Sequence, residues 1–325
     1  MDVVCLGELL VDMFPAEVGR RLVDVSAFRP KPGGAPANVS VGLARLGTRS
    51  AFIGKVGDDA FGHHLVEVLD NAGVETRGMR FDDYARTTMA FIASPDPDTA
   101  EFVFYRNPGA DMLLRPDELD IKLLKETKAL HIGSLSLVDD PIKQSAYEAV
   151  KLVSGQGGMI SLDVNYRPTL WPTPELAYDA VMALLPRVNL VKVNEVELAL
   201  LTGEEEPDAG SRRLISQGPE ICVITMGKEG SYFRVAEGDG FVPAYQVKTV
   251  DATGCGDGFV AGLLTGLLTQ GPWPEQLTVE KMTRHLTYAN AVGALTAQSQ
   301  GVIPALPTAI MVEDFLARTS EIPDG

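Results

Sequence analysis

The chain has 325 residues, 45% hydrophobic and 22% charged, with a formal net charge of −16. That balance belongs to a globular chain forming one large α/β domain or two modest ones. It lacks the basic footprint that nucleic acid or an anionic membrane requires, yet allows a small anion held by local backbone donors.

Three cysteines, Cys5, Cys222 and Cys255, are too few and too scattered for a disulfide framework or a zinc site. The four histidines have no metal-ligand spacing, and His63 and His64 are adjacent. Met1 leads straight into the apolar VVCLGELLV with no basic leader, and no apolar run is long enough to span a bilayer. A cytoplasmic, reducing setting is therefore expected.

The first strand is followed by Asp12. Residues 12 to 32 are strand-like with no helix between, and GGAPAN (Gly33 to Asn38) then opens a helix-like run. The diglycine lets a backbone approach a ligand, with Asn38 offering an amide to its hydroxyls; a plain loop and cap is the alternative. Residues 85 to 106 again carry strands without a helix and read as a hairpin turning at Pro95-Asp96-Pro97-Asp98. Both segments suit a small projecting sheet, a lid over a site, or else an edge extension of the main sheet.

From KALHIGSLSL onward, short β-rich runs alternate with helical patterns: SAYEAVKLVSG, GMISLDVN, AYDAVMALLPRV, NLVKVN, EVELALLTG and EICVITMG. Strands without polar alternation, separated by helices, predict a doubly wound, mostly parallel sheet covered on both faces. Ligands of such folds lie beyond the C-terminal strand ends. Here those ends read DVNYR, KVNEVE and TMGKEG. Near the C-terminal third, VDATGCGDGFVAGLL places one acid, Asp257, among glycines before a helical run. Bare amides at a helix start favour an anion. A carboxylate beside them needs a chemical task, or is simply a cap.

No GxxxxGK[ST] occurs, and GCGDGF fails GxGxxG at Phe259, which disfavours a P-loop or dinucleotide enzyme. The remaining pieces resemble the PfkB, or ribokinase-like, carbohydrate kinase family. GGAPAN with Gly47 and Gly57 matches its N-terminal signature, and VDATGCGDGF is similar to its C-terminal one, usually near DTTGAGDAF. KVNEVELALLTG resembles the NxxE segment, and ITMGKEG the TxGxxG nucleotide loop. The order is the expected one over nearly the whole chain. Within the family FVFYRNPGADMLL, HIGSLSL and DVNYRPTLWP look most like fructokinase segments, with aminoimidazole riboside kinases as the nearest alternative.

The resemblance implies a single ribokinase-like domain over residues 1 to 325 with a β lid from about 12–32 and 85–106. The activity implied is ATP-dependent phosphorylation of a sugar hydroxyl, fructose to fructose 6-phosphate. Asp257 would be the general base, with amides of Gly254, Cys255, Gly256 and Asp257 as the anion hole. Asp12, Gly33, Gly34 and Asn38 would hold the sugar, Arg106 and Asp111 would reach it from the lid, and Asn165 and Arg167 from a central strand end. The sober alternatives are a solvated Asp12, a surface Arg106–Asp111 pair and Arg167 pairing with Asp163. Asn194 and Glu197 would act near Mg²⁺ and the phosphates, Glu197 through water. Thr225, Gly227 and Gly230 would pass near phosphates and ribose, and Asn290 would neighbour adenine. Asp251 stands where family members often hold a monovalent cation, K⁺ being the candidate. Family lids often pair across a homodimer. Two departures stand out: Ala252 replaces the usual threonine, and Cys255 the usual alanine. A thiol at a helix start invites oxidation, but a tolerated small residue is the preferred reading.

Overall fold

A computed structural model describes residues 1–320 apart from 18, 97 and 98. Thirteen strands are described: β1 (Val3–Leu6), β2 (Leu10–Pro15), β3 (Phe28–Gly33), β4 (Ser50–Gly57), β5 (Glu75–Asp82), β6 (Met89–Asp96) and β7 (Thr99–Tyr105), followed by β8 (Ala129–Gly133), β9 (Met159–Asp163), β10 (Leu190–Asn194), β11 (Ile221–Thr225), β12 (Gly230–Val235) and β13 (Gly238–Pro243). Nine of them form one sheet in the order β13-β12-β11-β10-β9-β8-β1-β4-β5. From β11 to β5 the pairings are parallel, and β12 and β13 add an antiparallel edge.

The missing polar alternation has a direct cause. Every residue of β1, β4, β8 and β9 is buried, because helices cover both faces. Alternate side chains divide between two cores. Val3 and Cys5 pack with Val41, Leu263 and Leu286, whereas Val4 and Leu6 pack with Ala146, Val150 and Val181. The helix Cys255–Thr269 is buried from Asp257 through Leu268, which matches an apolar sequence with no polar stripe.

The two segments lacking helices form a separate four-stranded sheet, β3-β2-β6-β7; they do not extend the edge of the large one. Its strands begin at Leu10 and Met89, slightly displaced from residues 12 and 85, and a 3₁₀ turn at Leu22–Asp24 interrupts the first segment. Central β2 pairs antiparallel with β3 and parallel with β6. The β6–β7 hairpin is antiparallel, and Pro97 and Asp98 of its expected turn lie outside the described residues. Edge-to-face contacts of Phe91 with Phe28, at 5.0 Å, and with Tyr105, at 5.3 Å, fasten this sheet. KALHIGSLSL is a strand only to Gly133; Ser134–Leu137 turns into a 3₁₀ segment, all four residues buried. Among the described residues, no helix is long and apolar enough to cross a membrane.

Candidate active site

The site is built where β1 ends and the helices Ala35–Arg45 and Cys255–Thr269 begin. Gly254 caps the latter at φ +78, and a Cβ there would lie 2.1 Å from Val302 Cγ1, so only glycine fits. The N–H of Gly258 makes the first helical bond, to the Gly254 carbonyl. Those of Gly256 and Asp257 therefore stand ahead of the ladder, at the positive end of the dipole. The Cys255 N–H turns back to the Ala252 carbonyl at 3.3 Å.

Asp257 is buried and accepts a 2.8 Å bond from Asn38 Nδ2 across 219 residues of sequence. Asn38 Oδ1 is buried without a protein partner. The diglycine loop and the glycine-rich helix start thus converge through one hydrogen bond. Burial raises the Asp257 pKa to about 6; the Asn38 bond opposes this, Asp163 adds to it, and Arg167 and Lys192 oppose it. A carboxyl poised near 6 is suited to taking a proton at neutral pH.

Asp12 leaves β2 beside Gly33, where a Cβ would come within 2.0 Å of Asp12 Oδ2. Burial, then the Asp257 charge, pushes Asp12 up to about 7, with Arg167 opposing. Asp12 is therefore not the freely solvated acid of the alternative. Gly34 N-caps the helix Ala35–Arg45 at φ +107.

Arg106 and Asp111 are both buried and paired at 2.7 Å, and Thr88 Oγ1 donates to the same carboxylate. They are a pair, as the alternative reading has it, but an interior one. Arg167 does not pair with Asp163. It is exposed and donates to the Tyr166 carbonyl, while Asp163 is joined to Lys192 at 3.1 Å. Asn165 takes φ +38, a left-handed value tolerated by asparagine.

Asn194 and Glu197 cap the helix Glu195–Thr202 reciprocally. Both Glu197 oxygens already accept backbone N–H groups, from Tyr166 and Asn194, each at 2.8 Å. Burial raises its pKa, with Lys192 opposing. Among the described residues no group of three or more His, Cys, Asp or Glu could hold a metal ion. With both oxygens held by backbone N–H groups, Glu197 could meet a divalent ion only through water.

Thr225 ends β11 and donates to the Val193 carbonyl. Gly227 takes φ +53 with open space beside it. Gly230 starts β12 against β13, where a Cβ would meet the Val242 carbonyl oxygen at 2.2 Å, so its glycine is required by the strand pair. Asn290 turns inward: it accepts from Ser231 and donates to the Val242 and Pro243 carbonyls. Its carboxamide is engaged in the scaffold. Asp251 bonds the Thr253 and Gly301 N–H groups at 2.9 and 3.1 Å. Cys255 is half-buried; burial, with Asp251 and Asp257, lifts its pKa to about 11. That agrees with a tolerated small residue and not with an activated thiol.

Two residues escaped the motif reading. Lys192 is buried on β10, and its Nζ lies 3.5 Å from where a Cβ on Gly256 would stand. Burial acts against its charge, but Asp163, Glu197 and Asp257 raise its pKa overall. Glu8, between β1 and β2, is buried and accepts the Ala35 N–H at 3.0 Å. The available signal was a lone charge in an otherwise apolar run, NLVKVN or LGELLV, since a buried charge demands a partner.

Convergent glycine-rich helix starts, a raised aspartate and strand-end polar groups define a phosphotransferase pocket. The chain belongs to the pfkB family of carbohydrate kinases, whose family model, "pfkB family carbohydrate kinase", matches residues 1–309. It is 42% identical over 318 residues to "Probable fructokinase-6, chloroplastic" of Arabidopsis thaliana, covering 97% of this chain and 82% of that protein. The fold is similar to that of a fructokinase with bound ATP from Xylella fastidiosa, with TM-score 0.89, 30% identity and coverage of 98% and 99% of the two chains. It is also similar to that of the fructokinase from Vibrio cholerae O395 in its fructose, ADP and calcium ion bound form. There the TM-score is 0.87 and the identity 31%, with coverage of 97% and 99%.

Proposed function

We propose that the chain is a fructokinase, transferring the γ-phosphoryl group of ATP to the 6-hydroxyl of fructose with Asp257 as general base. The observation that carries this reading is the Asn38–Asp257 bond, which joins the two signature loops in one pocket. Holding Oδ2 leaves Oδ1 of Asp257 to take the hydroxyl proton as the sugar oxygen bonds to phosphorus. The bond from phosphorus to the β–γ bridging oxygen breaks, and ADP leaves. Asp12 and the free Oδ1 of Asn38 accept other sugar hydroxyls, with Gly33 and Gly34 forming the close wall. The amides of Gly254, Gly256 and Asp257 and the Lys192 charge face the migrating phosphoryl group, where preorganised donors are worth about 10²–10³ each in rate; the Cys255 N–H, assigned to the same anion hole by its sequence position, is held instead by the Ala252 carbonyl. Arg167 supports the same charge from the strand end.

A divalent metal bound with ATP supplies further neutralisation of phosphate charge, and Asn194 and Glu197 shape its water shell. Thr225 and Gly227 line the nucleotide side; the inward bonds of Asn290 leave it a scaffold neighbour of that side. K⁺ beside Asp251 would join a loop that two hydrogen bonds already close. The four-stranded sheet acts as a lid on a single domain, with Arg106 and Asp111 at its return. Exposed Phe102, Val103 and Tyr105 on β7 support pairing of two such lids in a homodimer. A cytoplasmic setting suits three unpaired cysteines, although the Arabidopsis relative is named chloroplastic.

The test is a coupled ADP-release screen with fructose, ribose, glucose, keto-deoxygluconate and aminoimidazole riboside. Fructose should give the highest kcat/KM. Negligible fructose turnover beside strong riboside turnover would overturn the reading in favour of a riboside kinase.

A further inference from the structure

Glu8 is a carboxylate that none of the signature motifs contains, yet it lies at the meeting point of three elements. It sits on the short link between β1 and β2, four residues before Asp12, and is 5% exposed. Its Oε1 accepts the Ala35 N–H at the first position of the helix that carries Asn38. Its Oε2 is buried and has no protein partner. The carbonyl of the same residue lies against Gly34, where a Cβ would meet it at 2.3 Å. The buried Arg106 and Asp111, from the return of the small sheet, act on Glu8 electrostatically, and Glu8 in turn acts on Asp12.

Such a group needs a reason. A buried carboxyl with one oxygen unbonded is unfavourable by roughly 1–3 kcal/mol or more relative to a satisfied one, and an apolar residue would fill the same space without that penalty. What an apolar residue cannot do is accept the Ala35 N–H, one of the donors a helix start leaves without a partner. Nor could it face the Arg106 guanidinium.

We propose that Glu8 is a positioning residue for sugar phosphorylation, one that locks the diglycine loop and helix start onto the β1–β2 link and the Arg106–Asp111 pair so that Asn38 and Asp12 hold the sugar in register with Asp257. The proposal rests on the kinase reading above. Glu8 acts through other residues; its own atoms are walled off from solvent. Displacement of a positioning element by about 1 Å is enough to lower rate about 10²-fold. Because the loop walls the sugar and not the nucleotide, the effect should fall on the sugar.

The charge of Glu8 supplies a second, independent readout. Its ordinary carboxyl pKa is raised to about 7 by burial, against the Arg106 charge and with the Asp111 charge. Asp12 is likewise near 7, raised by burial, Asp257 and Glu8, and lowered by Arg167. Among these influences on Asp12 the Glu8 charge ranks after burial, Asp257 and Arg167. Removing the Glu8 charge lets Asp12 ionise at lower pH, which a purely space-filling role would not do.

The experiment is steady-state kinetics of the full chain, wild type beside Glu8→Ala and Glu8→Gln, from pH 5.5 to 8.5, with fructose and ATP varied separately. Glu8→Ala should raise KM for fructose about tenfold or more and leave KM for ATP within about twofold. Glu8→Gln should recover most of that loss at pH 8, since its carboxamide oxygen accepts the same N–H, and should move the acid limb of kcat/KM for fructose to lower pH. An unchanged KM for fructose in Glu8→Ala, equal losses for fructose and ATP, or Gln no better than Ala would overturn the assignment. Should Glu8→Ala fail to fold, the limb in Glu8→Gln decides, and an unmoved limb overturns it. Wild-type turnover in the same assay separates the two readings: if another sugar is preferred, the fructokinase reading fails and the same ratios are read on that sugar.

Discussion

Asn38 donates its side-chain amide to Oδ2 of Asp257 at 2.8 Å, so a residue from the first quarter of the chain fixes the orientation of an acid in the last. That bond makes Asp257 a directional base and not merely a buried carboxyl. Replacing it by Asn keeps the shape and removes proton acceptance. Asp257→Asn should lower kcat about 10²–10⁴-fold while isothermal calorimetry gives a fructose Kd within a few-fold of wild type. Retention of most activity by the purified variant would remove the base assignment.

The same residue sets the acid limb of kcat. A base must be deprotonated, and Asp257 is raised to about 6 by burial, with Asn38, Arg167 and Lys192 opposing. Activity should therefore climb as pH rises through the range in which Asp257 loses its proton. A pH–kcat profile flat down to pH 5 would count against this environment for Asp257.

Gly33→Ala tests the sugar wall alone. The added Cβ would lie 2.0 Å from Asp12 Oδ2, so the carboxylate must move. KM for fructose should rise about tenfold or more, with KM for ATP essentially unchanged. Equal effects on both substrates would mean the diglycine is a general hinge and not a sugar contact.

Lys192 and Asp163 form a buried pair, both almost fully enclosed. Lys192→Met leaves the Asp163 carboxylate in the interior without its counter-charge. Breaking such a pair from one side typically destabilises by about 3–5 kcal/mol, so urea denaturation at pH 8 should show a large fall in midpoint. A variant as stable as wild type would mean that water reaches Asp163.

Ligand-free stability should also depend on pH in a definite direction. Glu8 and Asp12 are raised to about 7 and Asp257 to about 6, all chiefly by burial. Acids whose folded pKa exceeds the unfolded value contribute stability that is present at low pH and lost as pH rises through the folded pKa. The melting temperature should thus increase as pH falls from 8 to about 6.5. Below that, His131 and His285, whose pKa values burial lowers to about 4, begin to oppose the trend. Asp12→Asn should flatten the rise. A melting temperature that drops steadily over the same interval would contradict the burial of these acids.

Much of the fold is legible in the sequence, for physical reasons. The alternation of apolar runs gave the parallel sheet because strands covered on both faces have no polar side to display. The glycine-rich start at Gly254 was legible because a left-handed cap in a crowded corner admits nothing else. Arg106 and Asp111 were found through a motif, but their enclosure was not, since burial of a pair depends on which strands surround it. Lys192 and Glu8 stayed hidden for a related reason. A lone charge in an apolar run announces that a partner exists without naming it, and the partners, Asp163 and the Ala35 N–H, come from other parts of the chain. Asn290 illustrates the opposite case: its sequence context suggests a neighbour of adenine, whereas its carboxamide is bonded to Ser231, Val242 and Pro243 of the scaffold.

One arrangement has a consequence for fidelity. Asp12 belongs to β2 of the four-stranded sheet, whereas Asp257 rides on a helix packed against the nine-stranded one. The two acids are carried by separate β frameworks, yet the Asp257 charge acts on Asp12. The spacing between them is therefore set by how the two sheets sit on one another, and a shift of either would change which acceptor hydroxyl lies in line.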